Sequence, residues 1–178
     1  MDRKTFLKKS VQVGLGSSGM FLFVKGGASA QTMDEHTKRE QKFKEGWIKA
    51  LMENLEKHFD EKTRIKLMEA CGRDCTKRGA IRIAEACKDD VNQMVKTLSR
   101  IPGLEIERKD LKNYHVTYRK CFCELVGKGP ERLPDTYCEC SRGWLLQMFG
   151  TSLGKPVEVE IIRTIKRGSD ACEFVVYL

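Results

Sequence analysis

The chain has 178 residues and a formal net charge of +8, and 40% of its residues are hydrophobic while 33% are charged. This length and composition are typical of one soluble globular domain with a modest core. Five basic residues and one acidic residue within residues 1–30 account for +4 of the charge, which leaves +4 for the remainder. Because no basic run interleaved with aromatic residues follows, the composition argues against a nucleic-acid-binding function.

The N-terminus has the features of a secretory signal peptide. A basic segment over residues 1–10 precedes an apolar stretch over residues 11–24, and the Ala-Ser-Ala sequence at 28–30 supplies the small residues that a signal peptidase recognises. The apolar stretch is too short to span a bilayer, which takes about 20 residues. We therefore predict a signal peptide over residues 1–30, a single cysteine-rich domain over residues 31–178, and no stable membrane anchor after cleavage.

The segment from Asp2 to Lys8, Asp-Arg-Lys-Thr-Phe-Leu-Lys, resembles the twin-arginine signal, whose pattern is Ser/Thr-Arg-Arg-x-Phe-Leu-Lys. It departs from that pattern at Asp2 and at Lys4, where the second arginine belongs. The resemblance implies that the twin-arginine export machinery carries the chain already folded, with any cofactor loaded in the cytoplasm, to a periplasmic or secreted location. The alternative is ordinary secretion of an unfolded chain.

Amphipathic periodicity predicts three helical segments between Thr32 and Pro102. The first covers residues 32–59, where apolar residues recur every four positions, and Asp60 is placed to cap the second. The third ends at Pro102 and Gly103, a pair typical of turns. The residues expected to face inward are Phe43, Trp47, Leu51, Leu55 and Phe59 in the first segment, Ile65, Met68, Cys71 and Cys75 in the second, and Ile83, Cys87, Val91, Met94 and Leu98 in the third.

After Gly103 the apolar pattern changes to the alternation that is typical of strands. The predicted strands cover residues 104–107, 116–126, 157–161 and 172–178. One further helix, capped by Ser141 and ending near Gly154, lies between the second and third strands. Because several helices come first and antiparallel strands follow, we predict an α+β fold in which N-terminal helices pack on a small antiparallel sheet.

Eight cysteines are many for this length, and four of them form two Cys-x-Cys pairs. The first pair is Cys121 and Cys123, and the second, after fourteen intervening residues, is Cys138 and Cys140. Two short arms of this kind can place four thiolates around one soft metal. We therefore predict a metal site at these four residues, and all-thiolate ligation suits Zn or an iron–sulfur cluster.

Disulfides are the alternative explanation, because eight is an even number and the predicted compartment is oxidising. A disulfide within one Cys-x-Cys pair would be strained, so each cysteine of an arm would have to pair elsewhere. Free thiols are the third alternative.

Cys71 and Cys75 lie four residues apart, so on a helix their side chains point in one direction. They are candidates for two further metal ligands or a redox pair, and equally for small apolar side chains in a helix–helix contact. Gly72, next to Cys71, would let the backbone approach a bulky neighbour closely. For Cys87 we favour a role in the core.

The segments at residues 154–160, Gly-Lys-Pro-Val-Glu-Val-Glu, and 168–174, Gly-Ser-Asp-Ala-Cys-Glu-Phe, are similar to the ending of the 4-vinyl reductase domain. That family is a small α/β module regarded as binding small molecules, with cysteines proposed to hold a metal. The resemblance implies Cys172 as a further metal ligand. Thr164 stands where the family usually has a second cysteine, so no ligand is carried over to that position.

Two further resemblances bear on function. The run from Arg163 to Phe174 is similar to the ending of the aminothiazoline-carboxylate hydrolase family. The whole predicted mature chain, with its Cys-Gly-x-x-Cys motif and two Cys-x-Cys arms, looks like an uncharacterised cysteine-rich bacterial family.

Two functional hypotheses follow. The first is a binding module, an exported domain with a thiolate metal site and an apolar pocket between helices and sheet for a small-molecule ligand. The second is an enzyme, either a small cyclic-amide hydrolase of the aminothiazoline type or a thiol redox protein. The three histidines, His36, His58 and His115, show no known spacing to a serine or cysteine, so no catalytic residue is assigned.

Overall fold

A computed structural model describes residues 28–123, 125 and 133–178. Residues 28–33 are described by their backbone alone, and most of the predicted signal peptide lies outside the described residues. The chain divides into two compact units, residues 1–36 and residues 37–178. The main core and all eight cysteines belong to the second unit.

The described part of the chain contains five α-helices. They are α1 (Ala28–His58), α2 (Glu61–Lys77), α3 (Ile81–Ala86), α4 (Val91–Leu98) and α5 (Glu139–Leu153). As predicted, Asp60 caps α2, because its Oδ1 accepts the backbone N–H of Thr63 at 2.9 Å. Helix α5 ends at Gly154, whose φ of 65° lies in the left-handed region that favours glycine. Among these described helices, none is long and apolar enough to cross a membrane.

Four described strands form one antiparallel sheet. They are β1 (Leu104–Arg108), β2 (Asn113–Tyr118), β3 (Glu158–Arg163) and β4 (Cys172–Tyr177), in the spatial order β1-β2-β4-β3. In the register of the sheet, Val116 lies between Ile106 and Phe174, and Phe174 is next to Ile161. The predicted α+β class is therefore confirmed.

The main core lies between one face of the sheet and helices α3, α4 and α5, which confirms that helices pack on the sheet. Phe149 of α5 meets Tyr114 of β2 with 5.5 Å between ring centroids. The hydroxyl of Tyr114 donates a hydrogen bond to Asn92 Oδ1 at 2.8 Å, so the polar end of this buried ring has a partner.

The third predicted helix is two helices. Asp89 has a φ of 64°, which interrupts the helical path between α3 and α4. Asp90 then caps α4 by accepting a backbone N–H of its first turn at 3.0 Å. Cys87, Met94 and Leu98 face the core as predicted.

The two cysteine arms are not strands. The predicted strand at 116–126 ends at Tyr118, and the described residues 121–123 have no regular secondary structure. The second arm begins at the end of a 3₁₀-helix over Asp135–Cys138, which leads directly into α5 at Glu139. The predicted cap at Ser141 is therefore wrong, because the helix has already begun before that residue.

The buried face of α1 also differs from the prediction. Phe43 and Trp47 are 72% and 57% exposed, whereas Ile48 and Met52 are 9% and 1% exposed. Ile48 and Met52 form a second apolar cluster with Met68 of α2. Helix α1 thus carries two apolar stripes, and the aliphatic one faces inward.

Helices α2 and α5 cross with their backbones in contact at two glycines. A Cβ atom added to Gly72 would lie 2.8 Å from the carbonyl carbon of Cys140, and one added to Gly143 would lie 2.8 Å from Glu69 Cα. The buried stripe of α2 consists of Met68, Gly72 and Thr76. The predicted inward positions Cys71 and Cys75 are exposed, because the stripe lies one residue away from them.

Candidate functional site

Five cysteines lie in one neighbourhood of the second unit. Three of them, Cys121, Cys123 and Cys140, pack against the apolar cluster that contains Met52 and Tyr137. The other two, Cys138 and Cys172, are buried and interact electrostatically with each other and with Cys121, and Cys138 also interacts with Cys140. We call these five residues the cysteine cluster. The structure therefore brings the two predicted arms together and adds the cysteine that begins β4.

Hydrogen bonds hold sulfurs of the cluster in place. Cys138 Sγ donates to Thr164 Oγ1 at 3.1 Å, and the backbone N–H of Ile165 donates to Cys172 Sγ at 3.3 Å. Cys123 Sγ shares a hydrogen bond of 2.9 Å with the hydroxyl of Tyr137. Thr164 thus contacts the cluster through its hydroxyl.

The remaining predicted cysteines lie outside the cluster. Cys71 and Cys75 are exposed on α2, and Cys87 is buried in the main core. All eight cysteines are free thiols in the structure. The described residues contain no group of three or more His, Cys, Asp or Glu side chains arranged to hold a metal ion.

Burial sets the protonation state of the cluster. It raises the pKa of the Cys121, Cys140 and Cys172 thiols, and it raises the pKa of Cys138 to about 11. The hydroxyl of Thr164 and the guanidinium of Arg167 oppose this rise at Cys138 but are weaker than burial. In the free-thiol form these four side chains are therefore neutral at pH 7.

Ion pairs fix the second arm relative to its surroundings. Glu139, which lies between the two cysteines of that arm, is only 7% exposed. Arg142 bridges Glu139 and Glu69 of α2 at 3.2 Å each. Arg167 donates to the backbone carbonyl of Asp135 at 2.8 Å and reaches Glu139 at 3.5 Å. The arm is thus tied to α2 on one side and to the segment before β4 on the other.

An apolar cavity of about 240 Å³ lies beside the cysteine cluster, where α2, α5 and the sheet meet. Three thiols line the cavity: Cys123 and Cys140 of the cysteine cluster, and Cys75 of α2. The other lining residues are Gly72, Ile101, Leu104, Tyr118, Phe122, Ser141 and Trp144. The cavity lies between helices and sheet, where the binding-module hypothesis places its ligand.

Aromatic side chains shape this cavity, and the predicted site did not include them. Tyr118 packs edge-on against Phe122, with 5.2 Å between ring centroids, and in a tilted arrangement against Phe174, with 5.1 Å between ring centroids. Phe122 lies inside the first Cys-x-Cys arm, and Trp144 lies four residues after the second. Aromatic residues this close to both arms were the available signal that the arms border an apolar site.

The histidines lie apart from this site. His36, His58 and His115 are all exposed. His115 is on β2, between the inward-facing Tyr114 and Val116, and therefore points to the opposite face of the sheet from the core. The described site thus offers no histidine to activate a cysteine nucleophile.

Comparison with solved structures finds chains that are similar to this one. The chain is similar to trafficking protein particle complex subunit 3 from Naegleria fowleri, covalently bound to palmitic acid, with 16% identity and a TM-score of 0.52, covering 80% of this chain and 96% of that one. It is also similar to the phenol-responsive sensory domain of the transcription activator PoxR with phenol, at 14% identity and a TM-score of 0.47, covering 73% and 72% of the two chains. No curated protein matches the sequence.

A family model described as a family of unknown function, DUF6144, matches residues 25–177. The match spans the core, both cysteine arms and the cavity. The chain therefore belongs to the DUF6144 family.

Proposed function

We propose that this protein is a binding module for a small apolar ligand, which it holds in the cavity between α2, α5 and the sheet. The observation that carries the proposal is the cavity itself, about 240 Å³ of space walled by apolar and aromatic side chains. A concave apolar site with a few polar groups is the usual form of a ligand pocket. The volume exceeds the roughly 150 Å³ of a cavity known to bind benzene, so it suits a single aromatic ring or a short acyl chain.

The lining supports an apolar ligand over a charged one. Its aromatic members, Tyr118, Phe122 and Trp144, offer ring faces and edges, and its polar members are a hydroxyl and three thiols. Burial raises the pKa of the Cys140 thiol, so this wall stays neutral at pH 7. No charged side chain lines the cavity among the described residues, and a ligand carboxylate would therefore have to remain at the mouth.

Two resemblances to other proteins are consistent with this proposal, but the proposal does not rest on them. The Naegleria neighbour is described as covalently bound to palmitic acid, and at 16% identity the likeness extends to the fold alone. The similarity of the C-terminal part to the 4-vinyl reductase domain implies small-molecule binding. Export by a twin-arginine-like signal remains part of the proposal as the source of its periplasmic or secreted location.

Tryptophan fluorescence can test the proposal, because the chain has two tryptophans and only Trp144 lines the cavity. In a Trp47→Phe background, titration with naphthalene, hexanoate, decanoate and palmitate should change the Trp144 emission saturably for at least one of these probes. Ile101→Phe, which narrows the cavity, should weaken that binding by about tenfold or more, equivalent to about 1.4 kcal/mol.

Leu111→Phe is the matched control, because Leu111 is 82% exposed and lies outside the cavity lining. It should bind the probes as the parent does. The proposal fails if none of the four probes saturates the signal, or if Ile101→Phe and Leu111→Phe bind equally well.

The cysteine cluster favours a second candidate function, a thiolate metal site for Zn or an iron–sulfur cluster. Pairwise electrostatic interactions connect the five soft donors. Two of the sulfurs also accept a backbone N–H, Cys121 from Cys123 and Cys172 from Ile165. Such donors stabilise a thiolate. Binding would displace the thiol protons that burial now retains and would require the arms to draw closer.

Elemental analysis tests this candidate. Protein produced with its leader intact should contain about one metal ion or cluster per chain, and Cys138→Ser should remove it. Cys71→Ser is the control, since Cys71 is exposed and lies outside the cluster, and it should retain the metal. A metal content near zero in the parent, or equal losses in both variants, would contradict the candidate.

A further inference from the structure

Helix α1 presents an apolar stripe to solvent on the side away from the second apolar cluster. Phe43, Trp47 and Leu51 follow one another at single helical turns and are 72%, 57% and 39% exposed. Ile48 and Met52, on the other side of the same helix, are buried. Contiguous exposed apolar residues of this size, bordered by charged residues, usually mark an interaction surface.

The stripe is symmetric about its central residue. Phe43 and Leu51 lie four residues before and after Trp47, and Glu40 and Asn54 lie seven residues before and after it. Offsets of four and seven residues keep all five side chains on one side of an α-helix. The sequence along the stripe is therefore polar, apolar, Trp47, apolar, polar in either direction.

We propose that two copies of this chain pair through this stripe, with their α1 helices antiparallel across a two-fold axis at Trp47. Such an axis places residue i of one copy against residue j of the other, and j against i. Phe43 then meets Leu51, Trp47 meets Trp47, and Glu40 meets Asn54, so apolar contacts lie at the centre and polar contacts at the rim.

The charges of α1 favour the antiparallel arrangement. Residues 38–45 contain four basic and two acidic side chains, whereas residues 53–57 contain two acidic and one basic. Antiparallel pairing brings the net positive part of one helix against the net negative part of the other, while parallel pairing would oppose like charges. The position of Glu40 on the stripe itself disfavours an anionic membrane surface as the occupant.

The pairing would also steady the cysteine cluster, because the inward face of α1 belongs to the apolar cluster on which Cys121, Cys123 and Cys140 pack. The proposed pairing of α1 helices does not depend on what the cavity or the cysteine cluster binds.

Sedimentation of the full chain over a concentration series tests the pairing. The parent should sediment as a dimer, and Phe43→Glu and Leu51→Lys should each weaken dimerisation by about tenfold or more while leaving the circular dichroism spectrum nearly unchanged, since both residues are exposed. The double variant should restore the dimer, because the antiparallel axis places the new carboxylate of one copy against the new ammonium of the other. Lys49→Glu, exposed and off the stripe, should remain dimeric.

A parent that is monomeric throughout the series overturns the proposal, including the case in which it binds anionic phosphatidylserine vesicles through Trp47. A dimer that survives both single variants overturns the assigned surface. A dimer that both single variants dissociate and the double variant does not restore overturns the antiparallel axis.

Discussion

Replacing Gly143 with alanine should destabilise the protein by at least about 3 kcal/mol, a large part of the stability of a small domain. A Cβ atom at this position would overlap the backbone of α2, lying 2.8 Å from Glu69 Cα and closer still to the Glu69 carbonyl. Backbone atoms cannot rotate away as the end of a flexible side chain can, so the two helices would have to separate. Urea unfolding monitored by circular dichroism measures the loss.

Gly46→Ala is the matched control for this substitution. Gly46 lies within α1, where an added Cβ would have no atom within 4 Å. Alanine is the better helix former by about 1 kcal/mol, so this variant should be slightly more stable than the parent. If Gly143→Ala instead matches the parent in stability, then α2 and α5 do not touch at this glycine.

The helix crossing also sets the size of the ligand cavity. Gly72, the second crossing residue, and Cys140, whose carbonyl it faces, both line the cavity. Separating α2 from α5 would therefore widen the cavity and weaken its contact with a small ligand. A glycine at this helix contact would thus affect ligand binding by setting the width of the cavity, without contacting the ligand.

Periodicity was sufficient to predict the class and order of the fold. Alternation over β1, β3 and β4 and amphipathic spacing over the helices report which side chains share a face. The Asp60 cap and the Gly154 helix end were also predictable, because each depends on one residue and its immediate neighbours. These are local features, and local features are what a single sequence records most directly.

The choice of the buried face was not predictable in the same way. Helix α1 has one aromatic and one aliphatic stripe, and the sequence alone cannot decide which of them meets Met68. On α2 the deepest contact belongs to Gly72, a residue that hydrophobic patterning does not count as apolar. Both errors come from tertiary contacts that the spacing of residues within one helix does not contain.

The site was predicted in part. The sequence indicated that the two Cys-x-Cys arms would converge, and the structure places their cysteines together with Cys172 in one cluster. It did not reveal that the arms border an aromatic cavity, because Tyr118 and Trp144 come from different elements, a strand and a helix, and their meeting is a tertiary contact. Whether the cluster holds a metal stays a prediction, and its response to pH offers a second means of testing it.

Raising the pH from 9 to 11 should remove about 2 kcal/mol of stability from the metal-free protein through Cys138 alone. The pKa of this thiol is about 11 in the folded chain, against 9.0 for an ordinary cysteine thiol. Between these values the unfolded chain releases the thiol proton while the folded chain retains it, so a rise in pH favours unfolding. The stabilisation is complete below about pH 9 and is lost as the pH rises through 11, at about 1.4 kcal/mol per pKa unit.

Urea midpoints measured across this pH range, in the presence of a chelator and a reductant, should show the decline. Cys138→Ala should reduce this decline by about 2 kcal/mol, although the variant will be less stable than the parent at pH 7 because it loses packing contacts. Cys71→Ser should leave the slope unchanged, because Cys71 is exposed. Equal slopes in the parent and in Cys138→Ala would mean that this thiol ionises as readily in the folded protein as in the unfolded one.

The sign of the pH dependence also separates free thiols from a loaded metal site. In a metal-bound cluster the cysteines of the folded chain are thiolates, whereas the cysteines of the unfolded chain remain protonated below pH 9. The unfolded state then binds more protons below pH 9, so stability should rise with pH up to that value and should not fall through Cys138 above it. Protein purified without chelator that follows the rising curve supports the metal candidate, whereas the falling curve with and without chelator indicates a metal-free cluster of neutral thiols.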